Sequence, residues 1–146
     1  MKIKITKEIF KQAVETLSKR DPDLNMFYGT SGLPPLRYRP PGYGTLLKVI
    51  CGQQVSTAAA RAITGRLDAI AKPMTPEIFL GLSEIKVRQI GLSRQKEIYG
   101  RGIAEAIING KFSLRKIANM RDEEAIAEMM TLKGIGRWTA EVYLIF

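Results

Sequence analysis

The chain of 146 residues contains no histidine and only one cysteine, Cys51. Without histidine, these residues cannot form a Ser-His-Asp triad, a Cys-His pair or a histidine-ligated metal site. A single cysteine cannot close a disulfide within the chain or build a thiolate metal cage, which indicates a reducing compartment. No run of 18 apolar residues and no signal-peptide pattern occurs, so the sequence predicts a soluble protein without a targeting segment.

Acidic residues are also in short supply. The chain has 23 lysines and arginines against 14 aspartates and glutamates, a formal charge of +9. This excess predicts a polyanionic partner, with nucleic acid first and an anionic membrane surface second. With 45% hydrophobic and 25% charged residues, disordered and collagen-like chains are excluded. The length suits one ordinary domain whose core needs no covalent staples.

Helical periodicity dominates what remains. The first helix is predicted from Thr6 to Lys19, and Asp21 closes it and caps a short second helix. The segment from Gly29 to Gly44 is too rich in glycine and proline for a regular element. No segment alternates apolar and polar residues beside hairpin turns, so the sequence predicts an all-α fold. Later helices are expected to begin after N-cap residues at Ser56, Thr75, Ser83, Ser93 and Ser113, and another at Asp122.

Residues 132–140 read Leu-Lys-Gly-Ile-Gly-Arg-Trp-Thr-Ala and lie between two predicted helices. Gly134 and Gly136 permit positive φ and carry no side chain, so backbone N–H groups there can approach an anion closely. These groups also lie at a helix N-terminus, whose dipole favours a phosphate. Lys133 and Arg137 add positive charge on either side. The segment is therefore predicted to bind the phosphate backbone of a nucleic acid without contacting the base edges.

A Gly-x-Gly pair alone also occurs in helix–helix turns that only pack. The complete string, however, fits the helix-hairpin-helix signature L-x-G-[IV]-G-x-x-[ST]-A, which is much more specific. After the hairpin, Trp138, Val142 and Ile145 recur at helical spacing and predict the apolar stripe of the second helix.

Residues 46–56 read Leu-Leu-Lys-Val-Ile-Cys-Gly-Gln-Gln-Val-Ser. With the hairpin, they resemble alkylpurine DNA glycosylases, the 3-methyladenine DNA glycosylase II branch of the helix-hairpin-helix superfamily. Asp-Pro-Asp-Leu at 21–24 and Gly-Leu-Ser-Arg-Gln-Lys at 91–96 resemble its compact members. The resemblance implies two helical subdomains with a DNA-binding groove between them. Residues 1–45 would form the N-terminal helical segment of the first subdomain, and 46–146 a central helical bundle ending in the hairpin at about 131–137.

The resemblance implies a base-excision-repair enzyme that flips alkylated purines, such as 3-methyladenine and 7-methylguanine, out of the duplex and removes them by hydrolysis. The turn formed by Gln53, Gln54, Val55 and Ser56 would enter the duplex as a wedge, with Gln54 as its best single candidate. An alternative is that the glutamines cap the end of the preceding helix.

Bifunctional members of the superfamily have a lysine at the position of Trp138, and its amine attacks the sugar. Tryptophan has no nucleophile, so the resemblance is to monofunctional members, and the indole would stack on the base in its pocket. Packing of Trp138 between helices is the alternative. Thr139 would assist Gly134 and Gly136 in binding the phosphate.

The resemblance also implies a potassium or sodium ion at the hairpin, held by the backbone carbonyls of Met130, Leu132 and Ile135. No cofactor is expected beyond this optional ion. The implied partner is double-stranded DNA that contains alkylated bases. No membrane partner is expected, and the protein is expected to be monomeric. It would lie in the cytoplasm with the nucleoid in a prokaryote, or in the nucleus of a eukaryote.

The family's catalytic aspartate would lie beyond Phe146, so this chain is expected to contain no catalytic residue and to be inactive as written. The chain is thus expected to be truncated, without the C-terminal part of the fold. A second hypothesis is a non-catalytic helix-hairpin-helix module that binds DNA. A third is an endonuclease III-like enzyme with an iron–sulfur cluster, against which Trp138 argues.

Overall fold

The computed structural model describes residues 5–145, and these form α-helices joined by short loops, with no strand among them. The predicted all-α fold class is confirmed. In chain order the helices are α1 (Lys7–Arg20), α2 (Pro22–Ser31), α3 (Tyr43–Cys51), α4 (Thr57–Ile70), α5 (Pro76–Leu80), α6 (Glu84–Ile90), α7 (Arg94–Ile108), α8 (Leu114–Ile117), α9 (Asp122–Met129) and α10 (Arg137–Ile145).

Local capping explains where most helices begin, as the sequence predicts. The side-chain oxygens of Thr6, Asp21, Ser56, Thr75, Ser83, Ser93 and Ser113 each accept a hydrogen bond from a backbone N–H in the following first turn. Helix α9 differs, because its N-cap is Arg121, which makes no side-chain capping bond. Three acidic residues from Asp122 onward place negative charge in its first turn instead, where the helix dipole favours it.

The glycine- and proline-rich segment is shorter than predicted. Helix α2 continues past Gly29 to Ser31 and ends at Gly32, whose φ of +70° suits glycine. Helix α3 begins at Tyr43, one residue before the predicted end of the irregular segment. Capping by Asp21 and the stop at Gly32 therefore outweigh the low helix propensity of Gly29.

The chain divides into two compact units, one ending at Tyr38 and the other beginning at Arg39. In the first unit, α1 and α2 pack against each other. The second unit contains α3 to α10, and α3 begins inside it at Tyr43. The assignment of residues 1–45 and 46–146 to subdomain segments stays a prediction.

Helix α3 lies at the centre of the second unit and contacts α4, α7 and α10. Helix α7 approaches it closely at Gly100, where an added Cβ would lie 2.8 Å from Phe79 Cε1 and 3.0 Å from Leu47 Cδ1. This packing brings together the segment after α3, the first turns of α7 and the α9–α10 hairpin. The most deeply buried core side chains include Leu46, Leu47, Ile50, Leu67, Phe79, Val87, Ile103, Ile117 and Met129.

Cys51 is fully buried at the end of α3, and its burial raises the pKa of the thiol to about 12. At pH 8 the folded protein therefore holds almost no thiolate, which is the reactive form. We expect iodoacetamide to alkylate the native protein roughly a thousandfold more slowly than the urea-unfolded chain, whose thiol has an ordinary pKa of about 9. Stability should also fall as pH rises above 9, because the unfolded thiol ionises there while the folded one stays protonated. Rapid alkylation of the native protein would contradict this burial.

Candidate nucleic-acid interface

The connection between α9 and α10 spans residues 130–136 and is held by tight turns. Leu132 N donates to Met129 O at 3.1 Å, and Ile135 N donates to Leu132 O at 3.1 Å. Gly136 O then accepts from Ala140 N at 3.0 Å, the first hydrogen bond of α10. The first-turn N–H groups of α10 have no acceptor within the helix, so they can bind an anion.

The two glycines of this hairpin serve different purposes. Gly134 has φ +91°, and a Cβ there would lie 2.3 Å from Cγ and Cδ2 of Tyr99 on α7. Gly136 does not have a positive φ, and a Cβ there would meet no atom of residues 5–145 within 4 Å. The expectation of positive φ is therefore wrong for Gly136. Its missing side chain instead leaves open space in front of the start of α10.

Lys133 and Arg137 flank the hairpin but differ in their partners. Lys133 is exposed and makes no ion pair with any residue in the range 5–145. Arg137 Nη2 lies 2.6 Å from Glu123 Oε1 and its Nε lies 2.9 Å from Glu141 Oε1. The hydrogen bond to Glu123 is the main cause of a raised Arg137 pKa. A phosphate would therefore have to compete with two carboxylates for Arg137, whereas Lys133 is available.

Thr139 lies beneath the hairpin rather than on its surface. Its side chain is only 4% exposed, and Oγ1 accepts a hydrogen bond from Gln53 Nε2 at 3.0 Å. Because the hydroxyl is buried beneath the hairpin, any help that Thr139 gives to a phosphate would have to come from its backbone N–H.

The turn of residues 52–56 follows the end of α3 and lies beside the hairpin. Gln53 is half-buried, and its Nε2 donates to Gly134 O as well as to Thr139, both at 3.0 Å. Its amide thus joins the turn to the hairpin instead of capping the preceding helix. Gln54 is exposed with φ +52°, and it is the only non-glycine residue of the described chain with a positive φ. Such strain is often found where a residue has a functional role.

Val55 and Ser56, the other two residues of the predicted wedge, differ in whether their side chains are already used within the fold. Val55 is exposed, so its apolar side chain can contact a ligand. Ser56 caps α4 by accepting a hydrogen bond from Ala59 N at 3.2 Å. Of the four wedge candidates, Gln54 and Val55 therefore have side chains that make no hydrogen bond with residues 5–145.

Lys96 is part of this site, although the sequence pattern predicts no role for it. From the first turn of α7, its Nζ donates to Cys51 O at 2.9 Å and to Gln53 O at 2.7 Å. The sequence feature that could have pointed to Lys96 is the Gly-Leu-Ser-Arg-Gln-Lys run at 91–96. That run contributes to the family resemblance but implies no role for any of its residues. Tyr99, one turn further along α7, also belongs to the site, because its ring packs so closely on Gly134 that no side chain fits there.

Trp138 lies in the first turn of α10 with its side chain 62% exposed. The predicted apolar stripe of this helix does not face the core, because Val142 is only half-buried and Ile145 is 70% exposed. Helix α10 buries Thr139, Ala140 and Tyr143 instead. Trp138 is thus not packed between helices of the described chain, residues 5–145, and its indole is accessible to a ligand.

The three carbonyls predicted to hold a monovalent ion all lie in or beside the hairpin. Leu132 O already accepts the turn hydrogen bond from Ile135 N, and carbonyl oxygens can take a second partner. Within residues 5–145, no group of three or more His, Cys, Asp or Glu side chains could hold a metal ion. Carbonyl oxygens are hard ligands, which alkali cations accept, and the ion at Met130, Leu132 and Ile135 stays a prediction. No helix of the described chain is long and apolar enough to cross a membrane.

Residues 47–141 match the HhH-GPD superfamily of base excision DNA repair proteins. The chain belongs to this superfamily. The match includes the turn of residues 52–56, Lys96 and the hairpin, so the members of the candidate site all fall inside the HhH-GPD region. The predicted helix-hairpin-helix glycosylase fold is confirmed.

Curated relatives of this HhH-GPD chain are alkylation-repair glycosylases by name. It is 35% identical over 108 residues to DNA-3-methyladenine glycosylase 1 of Schizosaccharomyces pombe, which covers 71% of this chain and 47% of that protein. It is 29% identical over 110 residues to the DNA-3-methyladenine glycosylase of Saccharomyces cerevisiae, covering 68% of this chain and 37% of that protein. The chain thus spans about half or less of the length of these relatives.

Solved structures give the same relationship. The S. pombe 3-methyladenine DNA glycosylase in complex with abasic DNA superposes with a TM-score of 0.77 at 31% identity, over 92% of this chain and 69% of that chain. A DNA-3-methyladenine glycosidase from Bacillus halodurans gives a TM-score of 0.70 at 30% identity, over 91% and 62%. An endonuclease III–DNA complex at 22% identity shares the fold alone, with a TM-score of 0.56. The predicted resemblance to the 3-methyladenine branch is confirmed.

Glu123→Gln should strengthen binding to duplex DNA, because it removes one of the two carboxylates that compete with phosphate for Arg137. We expect a gain of about two- to threefold in affinity at low salt that disappears at high salt, as exposed charges are screened. Fluorescence anisotropy with a labelled duplex measures it. The matched control is Glu105→Gln, an exposed glutamate of α7 that makes no ion pair with residues 5–145. Equal gains from both variants would show only a net-charge effect.

Proposed function

We propose that this chain carries the helix-hairpin-helix region of a monofunctional DNA glycosylase that flips out alkylated purines of the 3-methyladenine and 7-methylguanine type and removes them by hydrolysis. One observation carries the proposal. The Gln53 side chain joins a strained turn with the exposed Gln54 to the hairpin between α9 and α10, through hydrogen bonds to Gly134 O and Thr139 Oγ1. A module that only grips phosphates has no use for such a turn. The relatives named as 3-methyladenine glycosylases support the same class of substrate.

The hairpin would hold the DNA backbone. The N–H groups at Gly134, Gly136 and the first turn of α10 would donate to one phosphate, with Lys133 as the available cation. Carbonyls of Met130, Leu132 and Ile135 would hold a sodium or potassium ion, which supplies positive charge toward the same phosphate. Because these contacts do not touch base edges, binding should not depend on sequence. If about four to six phosphates are neutralised, log K should fall with log salt at roughly −0.9 per phosphate.

The turn would act as the duplex wedge. Gln54 protrudes in a left-handed conformation and Val55 adds an exposed apolar side chain. Together they would fill the space that a flipped nucleotide leaves, which offsets part of the few kcal/mol that unstacking and unpairing cost. Gln53 and Ser56 would support the wedge from within, since their side chains already bond to the hairpin and to α4.

Trp138 would form the base pocket. An alkylated purine such as 3-methyladenine carries positive charge, and the electron-rich face of an indole attracts such a ring. The side chain has no amine that could form a Schiff base with the sugar, so base release should leave the strand intact.

The hydrolysis itself needs a carboxylate beside the developing positive charge on the sugar. The two carboxylates at the hairpin, Glu123 and Glu141, are both paired with Arg137. We propose that this carboxylate is the aspartate that the family resemblance implies beyond Phe146. Loss of that carboxylate should slow base release by a factor on the order of 10²–10³. We further propose that the protein acts as a monomer on double-stranded DNA, in the nucleoid or the nucleus.

Chromatography of the bases released from methylated duplex DNA tests the proposal. The complete gene product should release 3-methyladenine and 7-methylguanine in a single turnover. A protein that binds the duplex tightly but releases neither base would be the non-catalytic helix-hairpin-helix module instead. A 146-residue chain that releases bases as fast as the complete product would show that the catalytic carboxylate lies within residues 1–146.

A further inference from the structure

We infer that Lys96 is a positioning residue for the duplex wedge, an inference that rests on the proposed function. Lys96 lies on α7, more than 40 residues from the turn in sequence, and its side chain is half-buried. Its Nζ donates hydrogen bonds to two backbone carbonyls, Cys51 O at 2.9 Å and Gln53 O at 2.7 Å. Two of the three N–H donors of this ammonium group are therefore used within the protein.

The two carbonyls lie at the end of α3, where helix geometry leaves acceptors without partners and the dipole is negative. Gly52 N and Gln53 N bond back to Lys48, Val49 and Ile50, which turns the chain sharply out of the helix. A charged donor at the C-terminus neutralises the helix end and satisfies its carbonyls. Lys96 therefore stabilises the point from which the wedge leaves the helix.

The bond to Gln53 O has a direct consequence for Gln54. The carbonyl of residue 53 and the N–H of residue 54 belong to one planar peptide group, so fixing that oxygen fixes the plane from which Gln54 begins. Gln54 has φ +52°, a conformation that a non-glycine residue keeps only when its surroundings impose it. Lys96 supplies that constraint on one side of Gln53, and the hairpin supplies it on the other through Gln53 Nε2.

A positioning role and a purely structural role differ in what they do to DNA binding. If Lys96 only stabilises the fold, its loss weakens binding to every duplex equally. If it sets the wedge, its loss weakens binding to a duplex with a gap to fill and spares binding to an undamaged one. The ratio of these two affinities is therefore the quantity to measure.

The experiment compares the wild-type chain with Lys96→Met, Lys96→Arg and the control Lys111→Met, an exposed lysine on the loop after α7. Dissociation constants are measured for an undamaged duplex and for one with a tetrahydrofuran abasic site, and 2-aminopurine opposite that site reports insertion of the wedge. For Lys96→Met we expect the abasic preference to fall about tenfold, since hydrogen bonds from a charged donor are lost. The 2-aminopurine signal should fall with it. Affinity for the undamaged duplex should change no more than in the control, and Lys96→Arg should recover part of the preference.

Full abasic preference and an unchanged 2-aminopurine signal in Lys96→Met would overturn the inference. So would equal losses for both duplexes, because a structural role gives that result. A wild-type chain without abasic preference would instead contradict the proposed function, before any variant is compared. If Lys96→Met shows no cooperative thermal transition, Lys96→Gln takes its place. Full abasic preference, or equal losses for both duplexes, would then overturn the inference in the same way.

Discussion

Gly134→Ala should destabilise the protein more than any other single methyl addition in the hairpin. The new Cβ would lie 2.3 Å from two carbons of the Tyr99 ring, and the residue would have to keep φ +91°. Overpacking and backbone strain each cost about 1–3 kcal/mol, so we expect a loss of about 3 kcal/mol in the free energy of unfolding. Urea denaturation followed by circular dichroism measures it. A variant as stable as the wild type would show that the hairpin does not pack on α7 in this way.

Gly136→Ala is the matched control for that variant, because a Cβ there meets no atom within 4 Å and φ is not left-handed. Its stability should stay within about 0.5 kcal/mol of the wild type. Affinity for duplex DNA should nevertheless fall about five- to tenfold, since the methyl group would stand where the phosphate approaches the N–H groups. Unchanged affinity in Gly136→Ala would contradict the hairpin as the phosphate site.

Trp138→Ala should have the largest effect on the chemistry and almost none on the fold. Stacking of a base on an aromatic side chain is worth about 1–3 kcal/mol, so single-turnover release of 3-methyladenine by the complete gene product should slow about 10- to 100-fold. The side chain is 62% exposed and outside the core, so the urea midpoint should barely move. Trp138→Phe keeps an aromatic face and should lose less. Equal release rates in wild type and Trp138→Ala would exclude the indole from the base pocket.

What could be predicted from the sequence was mostly local. A serine or threonine directly before an apolar helical repeat is a good predictor of an N-cap. The first residues of α4 to α8 can therefore be predicted from a few neighbouring residues. The hairpin is equally local, since its glycines, its cations and the following helix are contiguous in the chain. Trp138 could be singled out for the same reason, because its position within the signature is fixed.

The connections between these local pieces could not be predicted. The Lys96 contact with Gln53 O spans 43 residues and the Gln53 contact with Gly134 O spans 81, so both depend on how α3, α7 and α10 pack. The family resemblance favours Gln54 as the wedge, but neither it nor the sequence pattern predicts that the Gln53 amide bonds to the hairpin. The difference between Lys133 and Arg137 also arises in the fold, because Glu123 lies 14 residues before Arg137 on another helix.

The apolar pattern of α10 was misleading for a physical reason. Trp138, Val142 and Ile145 form a regular helical stripe, and such a stripe ordinarily faces the core. In this unit the core side of α10 consists of smaller or partly polar residues, Thr139, Ala140 and Tyr143. Thr139 is satisfied by Gln53, and the Tyr143 hydroxyl accepts a hydrogen bond from Gly42 N at 3.0 Å. Once their polar groups are paired, these residues can be buried, and the larger apolar stripe faces outward.

The central claim is that the complete protein removes an alkylated purine without attacking the sugar. A duplex with one 7-methylguanine in an end-labelled strand tests it most directly, with borohydride present in a parallel reaction. We predict release of the base, an intact strand until the abasic site is cleaved by hot alkali, and no covalent complex. Strand cleavage without alkali, or a protein–DNA complex trapped by borohydride, would contradict the account, because both require an amine nucleophile where the chain has Trp138.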